Sequence, residues 1–480
     1  MPTLESNSTR RRFLQQAATP LIVPAFALGR GATAPSDRVT VGIIGSGQRA
    51  LFETRQYPWF DNVIIVAVAD AQESRRQGAK AELEKLYDQQ QPQRNRGIRV
   101  YHDFHELLAQ KDIDGVYIAS PDHWHVSMLL PTLKAGKHVH CEKPLGISIE
   151  QDLAALKAVR QSDRIFQYGA ELRAFPDAKK AIELVLNGRI GAVRHIYVVA
   201  PPSVSGGSPT PVIQPPDGFD YDKWLGPAPL RPFCADRCLT ENPRGIFNIS
   251  DYTLGNINNW AAHPLDQLQR WADAVGRKDP PIDYEGSGKF AQDGLFDCAI
   301  QWKVRCKWAD GLILDFMDSN TYHEVADAPH PQTSWSMASK GEAQKLPNGA
   351  VFVGETGWVI VSYGKVATNP ASLMNSEIGP NEIHIPDSAL EKIPEGLPKG
   401  LQQTLTAGHH QNWIRAIRSG TPAVDNIEGA VRSDMISQLS ELAIRTGKSL
   451  RWNPKKETIE GNDLARKMIK RPMRAPYGLA

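Results

Sequence analysis

A short glycine-containing stretch, Gly45-Ser46-Gly47-Gln48-Arg49-Ala50, stands where an apolar run at 39–44 ends and a helical pattern begins. The first glycine permits a tight turn, the second lets a ligand approach the backbone, and the small Ala50 lets the helix pack against the strand. Backbone amides at the start of such a helix favour anions. The spacing therefore predicts that residues 45–49 bind the pyrophosphate of a dinucleotide.

Asp70 is an acid at the end of the second apolar run, 25 residues after Gly45. At this place a carboxylate can bind the ribose hydroxyls of the adenosine and repel a 2′-phosphate. The pattern therefore favours NAD over NADP as the cofactor. The alternative is a glycine turn in an unrelated α/β protein, with Asp70 as a helix cap.

Two patterns of apolar and polar residues predict the strands and helices that must position these residues. Apolar runs at 39–44, 63–69, 115–119 and 138–141 alternate with helical segments, which predicts a parallel sheet covered on both faces, a Rossmann domain. The segment 296–308 instead alternates apolar and polar residues, which is typical of an antiparallel strand with one buried face. We therefore expect an α/β protein whose C-terminal α+β domain has a large, open, mostly antiparallel sheet.

The composition divides the chain into a leader at 1–34, a dinucleotide-binding domain at 35–150, a substrate and oligomerisation domain at 151–455 and a C-terminal tail at 456–480. Residues 201–245 hold ten prolines and no clear period. A loop of this length is usually functional or a linker, and we interpret it as a lid or a subunit arm. The free face of the open sheet is either solvated or a subunit interface, and we expect a homo-oligomer, a dimer or tetramer, built through it.

The leader carries three arginines at 10–12, then Phe13-Leu14 and a modest apolar stretch over 17–28. It resembles a twin-arginine export signal, which predicts a periplasmic protein, and the alternative is a disordered basic tail. Without residues 1–34 the chain holds 51 basic and 52 acidic residues, a balance that gives no support to a nucleic-acid partner. No other segment approaches the ~20 apolar residues of a membrane span, so no stable span is expected.

Two further motifs follow strands of the first domain: Ser120-Pro121-Asp122-His123-Trp124-His125 and, after the next strand, Cys141-Glu142-Lys143-Pro144. Together with the glycine loop they resemble the Gfo/Idh/MocA oxidoreductase family. The resemblance covers nearly all of the chain after residue 37, including 224–229 and 410–413. It implies hydride transfer between a sugar-like alcohol and nicotinamide near the carboxyl ends of the strands.

By this resemblance Lys143 contacts the reacting hydroxyl, Glu142 orients the lysine or the cofactor amide, and the cofactor is also bound by Ser120, Pro121 and His125. Burial beside a positively charged nicotinamide would lower the ordinary lysine pKa of about 10.4. The Lys143–Pro144 bond is a candidate cis bond. The alternative is a surface lysine at a strand end.

Asn259 and His263 stand four residues apart, so a helix would place both side chains on one face. The family often has Asp-x-x-x-His here, with the histidine as the proton carrier, and the resemblance makes both residues catalytic candidates. Asparagine neither takes a proton nor holds imidazolium by charge. The pKa of His263 would therefore stay near its ordinary ~6.5 unless another acid such as Asp266 intervenes. The alternative is a helix-capping or core histidine.

Three further residues are substrate-binding candidates by family analogy: Tyr168, Arg173 and Trp260. A packing tyrosine and a solvated arginine are the alternatives for the first two. The histidines at 123, 125, 138 and 140 lack a third ligand at diagnostic spacing, so no metal site is expected.

The expected leader changes the role of the cofactor, because an exported enzyme meets no cytoplasmic NAD pool. We therefore expect tightly bound NAD and a sugar or cyclitol substrate. One alternative is a redox-neutral glycoside hydrolase or lyase that acts through a transient keto-sugar. The family branch with that activity has Tyr-x-x-His at the catalytic histidine, and this chain has Trp260 at the position of the tyrosine. Tyr252 could take the place of that tyrosine only if the fold brings it near. The other alternative is a non-catalytic sugar-binding homologue.

Overall fold

The computed structural model describes residues 37–95, 97–241, 244–325, 327–330, 346–363, 365–390, 394–398 and 406–479. The predicted export signal at 1–34 lies outside these residues. Within the described ranges, no helix has both the length and the apolar character that crossing a membrane requires.

The first sheet contains β1 (Val39–Ile44), β2 (Val63–Ala69), β3 (Arg99–Tyr101), β4 (Gly115–Ile118), β5 (His138–Glu142) and β6 (Phe166–Gly169). All neighbouring strands are parallel, in the order β3-β2-β1-β4-β5-β6. The connecting helices are α1 (Gln48–Thr54), α2 (Glu73–Gln90), α3 (Phe104–Leu108), α4 (His125–Lys134) and α5 (Ile149–Gln161). The central strands are mostly apolar because both faces of the sheet are covered, and the predicted Rossmann domain is confirmed.

This first sheet continues past residue 150, where the sequence analysis places the domain boundary. β6 pairs in parallel with β5, and α5 is the crossover between them. A parallel strand can rejoin its sheet only after such a crossover. The predicted boundary is therefore too early, because it separates the crossover helix and the last strand from their own sheet.

The second sheet contains β7 (Val193–Ala200), β8 (Asp283–Phe290), β9 (Ala299–Lys307), β10 (Ile313–Asp318), β11 (Gly349–Gly354), β12 (Trp358–Ser362), β13 (Lys365–Asn369), β14 (Leu450–Asn453) and β15 (Thr458–Glu460). Its order is β13-β12-β11-β7-β10-β9-β8-β14-β15. β7 and β10 pair in parallel and the other pairs are antiparallel. The predicted open, mostly antiparallel sheet is confirmed, although the strand predicted at 296–308 is shorter.

The remaining helices are α6 (Pro176–Leu186), α7 (Tyr221–Leu225), α8 (Ala262–Ala274), α9 (Ser319–His323), α10 (Thr406–Ser419), α11 (Ile427–Thr446) and α12 (Asp463–Met468). Of these, α6, α8 and α11 cover one face of the second sheet, and α9 packs on the other face. On β9, Trp302, Val304 and Cys306 are buried while the residues between them are exposed. α11 is buried along most of its length because it packs between α5 of the first domain and α8 and β8 of the second.

Three parts of the chain do not fit the division into consecutive segments that the sequence predicts. Trp413 and Ile414 of α10 lie in the core of the first sheet, beside Val41 and Tyr117. The tail predicted to begin at residue 456 contains β15, which pairs with β14, so that boundary falls inside a hairpin. The described part of the loop 201–245 forms a small aromatic core of its own with neighbouring residues, including Tyr221, Trp224, Phe233 and Tyr252.

Candidate functional site

A cleft with a volume of about 710 Å³ lies at the carboxyl ends of the central strands of the first sheet. Most of the residues singled out from the sequence line it: Gly45, Gly47, Gln48, Arg49, Asp70, Ser120, Pro121, His125, Glu142, Lys143, Asn259, Trp260 and His263. The proline-rich loop adds Trp224, Thr240 and Arg244, and the C-terminal tail adds Tyr477. Both domains, the proline-rich loop and the C-terminal tail therefore contribute to one concave site.

The glycine loop fits a ligand that lies against the backbone. Gly45 has φ +82°, and a Cβ there would lie 2.6 Å from the backbone nitrogen of Ser120. A side chain is therefore excluded both by conformation and by space. Gly47 precedes α1, and Ala50 is fully buried where α1 packs against the sheet. This arrangement leaves backbone open to the cleft and fits the pyrophosphate of a dinucleotide.

Asp70 connects the glycine loop to the end of β2. One carboxylate oxygen accepts a hydrogen bond from the backbone nitrogen of Ser46 at 2.8 Å, and the other accepts from the nitrogen of Gln72 at 2.8 Å. The hydroxyl of Ser46 also donates to Asp70, at 3.2 Å, and Ser46 is buried away from the cleft. The prediction that Ser46 binds cofactor is therefore wrong for its side chain, which holds Asp70 at the cleft wall.

The Glu142-Lys143-Pro144 turn lies at the end of β5, and the Lys143–Pro144 bond is cis as expected. His125 joins this turn to the end of β4: its Nδ1 lies 2.6 Å from the carbonyl oxygen of Pro144 and its Nε2 lies 2.9 Å from that of Ser120. Burial lowers the pKa of Lys143 below its usual range, and the neighbouring Arg49 lowers it further. Lys143 is thus a half-buried amine that lines the cleft rather than a surface lysine.

A hydrogen-bonded chain connects Lys143 to an acid of its own domain through the second domain. Lys143 Nζ donates to Asn259 Oδ1 at 2.9 Å, and Asn259 Nδ2 donates to both oxygens of Asp122, at 3.3 and 3.2 Å. Thr253 also donates to Asp122, at 2.8 Å. Because a carboxylate only accepts, Asp122 fixes the orientation of the amide and turns its oxygen toward Lys143.

His263 lies near the start of α8, beside the rings of Trp260 and Tyr363, with ring-centroid distances of 5.9 and 5.3 Å. Its Nδ1 lies 3.7 Å from Oε2 of Glu171. Burial lowers the pKa of His263 to about 4, although Glu171 acts in the opposite direction. The expectation of an ordinary pKa near ~6.5 is therefore wrong, because burial outweighs the nearby carboxylate.

Arg49, on the first turn of α1, joins three carboxylates beneath the cleft. Its guanidinium nitrogens lie 2.8 Å from Glu53, 3.1 Å from Glu142 and 3.0 Å from Glu171. The hydroxyl of Tyr117 also donates to Glu142, at 2.6 Å. Arg49, which is predicted to contact the cofactor, therefore also connects the glycine loop to Glu142 and Glu171, which line the cleft, whereas Glu53 lies outside the cleft lining.

Two of the predicted substrate residues do not reach the cleft. Arg173 is buried against Asp266, with its Nε 3.0 Å from each carboxylate oxygen, and it also faces Asp425. Tyr168 is fully buried and donates its hydroxyl to Asp434 at 2.9 Å. These two predictions are wrong, because both side chains point into the core rather than to the strand ends.

The structure also removes two other candidates. Asp266 is bound by Arg173 and therefore is not the acid that faces His263. Tyr252 is buried in the aromatic core of the proline-rich loop and does not line the cleft, so it does not take the place of the tyrosine that Trp260 replaces.

Sequence reasoning missed three residues of this site. Asp122 lies within the quoted 120–125 motif, and its type and position could have marked it as a candidate. Glu171 lies two residues from Arg173, on a 3₁₀ turn whose residues point to opposite sides. Tyr363 follows β12 and donates its hydroxyl to Glu171 at 2.8 Å. No local pattern marks the last two, because their partners lie far away in the sequence.

The fold and the cleft define a dinucleotide-binding protein with a separate second domain. Residues 39–170 match the NAD-binding Rossmann fold of an oxidoreductase family, and residues 204–330 match its C-terminal alpha/beta domain. The chain belongs to this family, the Gfo/Idh/MocA oxidoreductases.

Individual relatives are more distant. Myo-inositol 2-dehydrogenase of Thermotoga maritima is 29% identical over 177 residues, 35% of this chain and 49% of that protein. A glycosyl hydrolase family 109 protein of Shewanella sp. strain W3-18-1 is 33% identical over 166 residues, 34% of this chain and 36% of that protein. The matches thus span half or less of these relatives.

Among solved structures, GenD2 from gentamicin A biosynthesis, in complex with NAD, matches with a TM-score of 0.57 and 15% identity. The match covers 88% of this chain and 98% of that chain. At this identity the similarity shows a shared fold.

Proposed function

We propose that the protein is an NAD-dependent oxidoreductase that transfers a hydride between a sugar or cyclitol hydroxyl and a tightly bound nicotinamide. One observation carries this proposal: Lys143 of the first domain and His263 of the second line the same cleft as the glycine loop. The partial similarity to a myo-inositol 2-dehydrogenase supports the class of substrate.

The residues of the cleft fit the cofactor. The backbone at Gly45 and Gly47 would hold the pyrophosphate, Asp70 the adenosine ribose, and Ser120, Pro121, His125 and Glu142 the nicotinamide end. The charge of Asp70 at this place supports NAD over NADP, since it would repel a 2′-phosphate. When bound, the nicotinamide supplies a hydride acceptor or donor at the substrate carbon.

The chain's own residues would handle the proton. Because burial lowers the pKa of His263 to about 4, its imidazole is neutral at neutral pH and can accept the proton of the substrate hydroxyl. Lys143, held by Asn259, would donate a hydrogen bond to the same substrate oxygen. As the O–H proton leaves to His263 and the C–H hydrogen leaves as hydride, the carbon–oxygen bond becomes a carbonyl.

The proposal includes export by the twin-arginine route, a periplasmic location and a homo-oligomer formed through the open sheet. Replacing the arginines of the leader, Arg11→Lys with Arg12→Lys, should retain the protein in the cytoplasmic fraction. Unchanged export of that variant would contradict the proposed route. Light scattering on the purified protein tests the assembly, and a monomer at all concentrations would exclude it.

The second candidate function is a redox-neutral glycoside hydrolase or lyase. The observation that favours it is the 33% identity to a glycosyl hydrolase family 109 protein over a third of the chain. Against it stand Trp260 at the position of the branch's tyrosine and the burial of Tyr252 away from the cleft.

One experiment separates these functions. Purified protein is denatured, and the released nucleotide is assayed with NAD-specific and NADP-specific enzymes. Native protein is then incubated with sugars and cyclitols, and separately with aryl glycosides without added cofactor. NADH formed from a free sugar supports the dehydrogenase, whereas aglycone release without net NADH supports the hydrolase. If the protein contains no nucleotide and shows neither activity, the remaining interpretation is a non-catalytic sugar-binding homologue.

Variants test the proposed residues. Lys143→Met and His263→Asn should each lower kcat/KM by at least about 100-fold, since each removes a group that handles the substrate proton or oxygen. Matched controls are Lys157→Met on the exposed side of α5 and His384→Asn at the surface, which should retain activity. Full activity of either site variant would exclude its proposed role.

A further inference from the structure

We propose that Glu171 is the carboxylate that positions His263 for proton transfer, in place of the acid that the family often carries at the position of Asn259. This inference rests on the proposed function. It assigns a role to a residue that no sequence pattern marks, on the turn between β6 and α6.

His263 and Glu171 each present one unpartnered atom to the other. Nδ1 of His263 and Oε2 of Glu171 are both buried and have no hydrogen-bond partner among the described residues, and they lie 3.7 Å apart. Buried polar atoms of a native site normally find partners. Catalytic hydrogen bonds are often long before substrate binds and tighten afterwards. The two atoms are therefore a pair that a small movement of either side chain completes.

The other carboxylate oxygen of Glu171 is held in place. Oε1 lies 3.0 Å from Arg49 and accepts the hydroxyl of Tyr363 at 2.8 Å. The ring of Tyr363 also lies edge-on to the imidazole of His263. Because Oε1 is fixed from two sides, Oε2 remains oriented toward His263.

The neighbouring acids Asp266 and Asp122 bind other partners. Asp266 is bound by Arg173 on the core side of α8. Asp122 binds the amide of Asn259, whose oxygen in turn accepts from Lys143. Glu171 is left as the acid that faces the imidazole.

The charges around His263 define what Glu171 does. Glu171 and Asp266 raise the pKa of His263, while Lys143 and Arg49 lower it. Although burial opposes ionisation, Arg49 and His263 hold the pKa of Glu171 well below its usual range. Glu171 therefore stays ionised and does not take the substrate proton itself. It orients the neutral imidazole and stabilises the imidazolium that forms when His263 accepts that proton.

The test compares Glu171→Gln with Glu53→Gln. Both variants remove a carboxylate from Arg49, but only Glu171 faces His263. An NMR titration of the imidazole, assigned with His263→Asn, gives a readout that needs no substrate. Glu171→Gln should lower the pKa of His263 further, because a charge that raises it is lost. Glu53→Gln should leave that pKa close to the wild-type value.

Kinetics give the second readout. Glu171→Gln should lower kcat on the order of 100-fold and move the acid limb of the kcat/KM profile to lower pH, and Glu171→Asp should restore part of kcat. Equal titration and kinetics in the two glutamine variants would overturn the proposal. An inactive wild-type protein would instead contradict the proposed function, and the NMR result would still decide whether Glu171 acts on His263. Circular dichroism confirms that each variant is folded.

Discussion

Arg49 and Arg173 each meet several carboxylates, but one cluster borders the cleft and the other is closed inside the protein. The side chain of Arg49 is 34% exposed, and it joins Glu53, Glu142 and Glu171. The side chain of Arg173 is 6% exposed, and it joins Asp266 and Asp425. The Arg49 cluster can respond to a ligand in the cleft, whereas the Arg173 cluster connects the 3₁₀ turn, α8 and the segment before α11.

An arginine with several carboxylates can therefore serve either function or stability. Which of the two it serves depends on whether the cluster borders the cleft. Glu171 and Arg173 lie two positions apart on one turn, yet they belong to different clusters. Removing charge from a closed cluster leaves buried ions without partners, which is costly. Removing charge from an open cluster lets water reach the remaining groups, so the loss falls on function. The following experiments test this distinction.

The largest expected effect is on stability. Arg173→Met should lower the free energy of unfolding by about 3–5 kcal/mol, because it leaves Asp266 and Asp425 buried without their cation. The activity per folded molecule should change little. The control is Arg160→Met, which breaks an exposed pair with Glu428 and should cost at most about 1 kcal/mol. Urea unfolding measures both, and equal small losses would refute the distinction.

Arg49→Met should show the opposite balance. We expect kcat/KM to fall about 10- to 100-fold, since Glu171 and Glu142 lose the cation that holds them. The free energy of unfolding should fall by only about 1–2 kcal/mol. Glu142 and Glu171 line the cleft, where water can take the place of the guanidinium, and Glu53 keeps His410 at 3.4 Å. Nucleotide content, kinetics and urea unfolding are measured on the same preparation. A stability loss as large as that of Arg173→Met would place Arg49 with the closed cluster.

An exchange of acid and amide sharpens the comparison within the open site. Asp122→Asn alone should lower kcat/KM by about 10-fold, because nothing then forces the amide oxygen of Asn259 toward Lys143. The double variant Asp122→Asn with Asn259→Asp should recover activity to within about 3-fold, since the amide then donates from position 122 to a carboxylate beside Lys143. No recovery in steady-state kinetics would mean that the order of acid and amide itself matters.

A further experiment concerns a buried acid without an arginine. Asp434 accepts from Leu145, Gly146 and Tyr168, and the described part of the chain gives it no ion pair. Burial raises its pKa to about 7. The folded state therefore holds a proton that the unfolded state releases above about pH 4, and stability falls as pH rises toward 7. Asp434→Asn should flatten this slope in urea unfolding, and an unchanged slope would exclude Asp434 as its source.

The sequence predicted the fold well where local patterns carry the information. The apolar runs of β1 and β2 and the alternation along β9 each reflect which faces are covered, so their spacing indicates the sheet type. Boundaries were less predictable. α10 packs on the first sheet and β15 completes a hairpin across residue 455, because packing joins segments that lie far apart in the chain.

For the site, the sequence by itself determined the residues that need only their own neighbours. Gly45 is required by its turn, and Lys143 by the end of β5. Asn259 and His263 were found by their spacing, although only His263 lies on α8 and Asn259 lies on the turn before it. The tertiary structure decided which acids serve them: Asp122 for the amide of Asn259, Glu171 for His263, and Asp266 for Arg173 instead. The physical reason is that a carboxylate acts through distance, burial and the cations around it, and these are set by contacts between β6, α8 and the strand ends rather than by spacing along the chain.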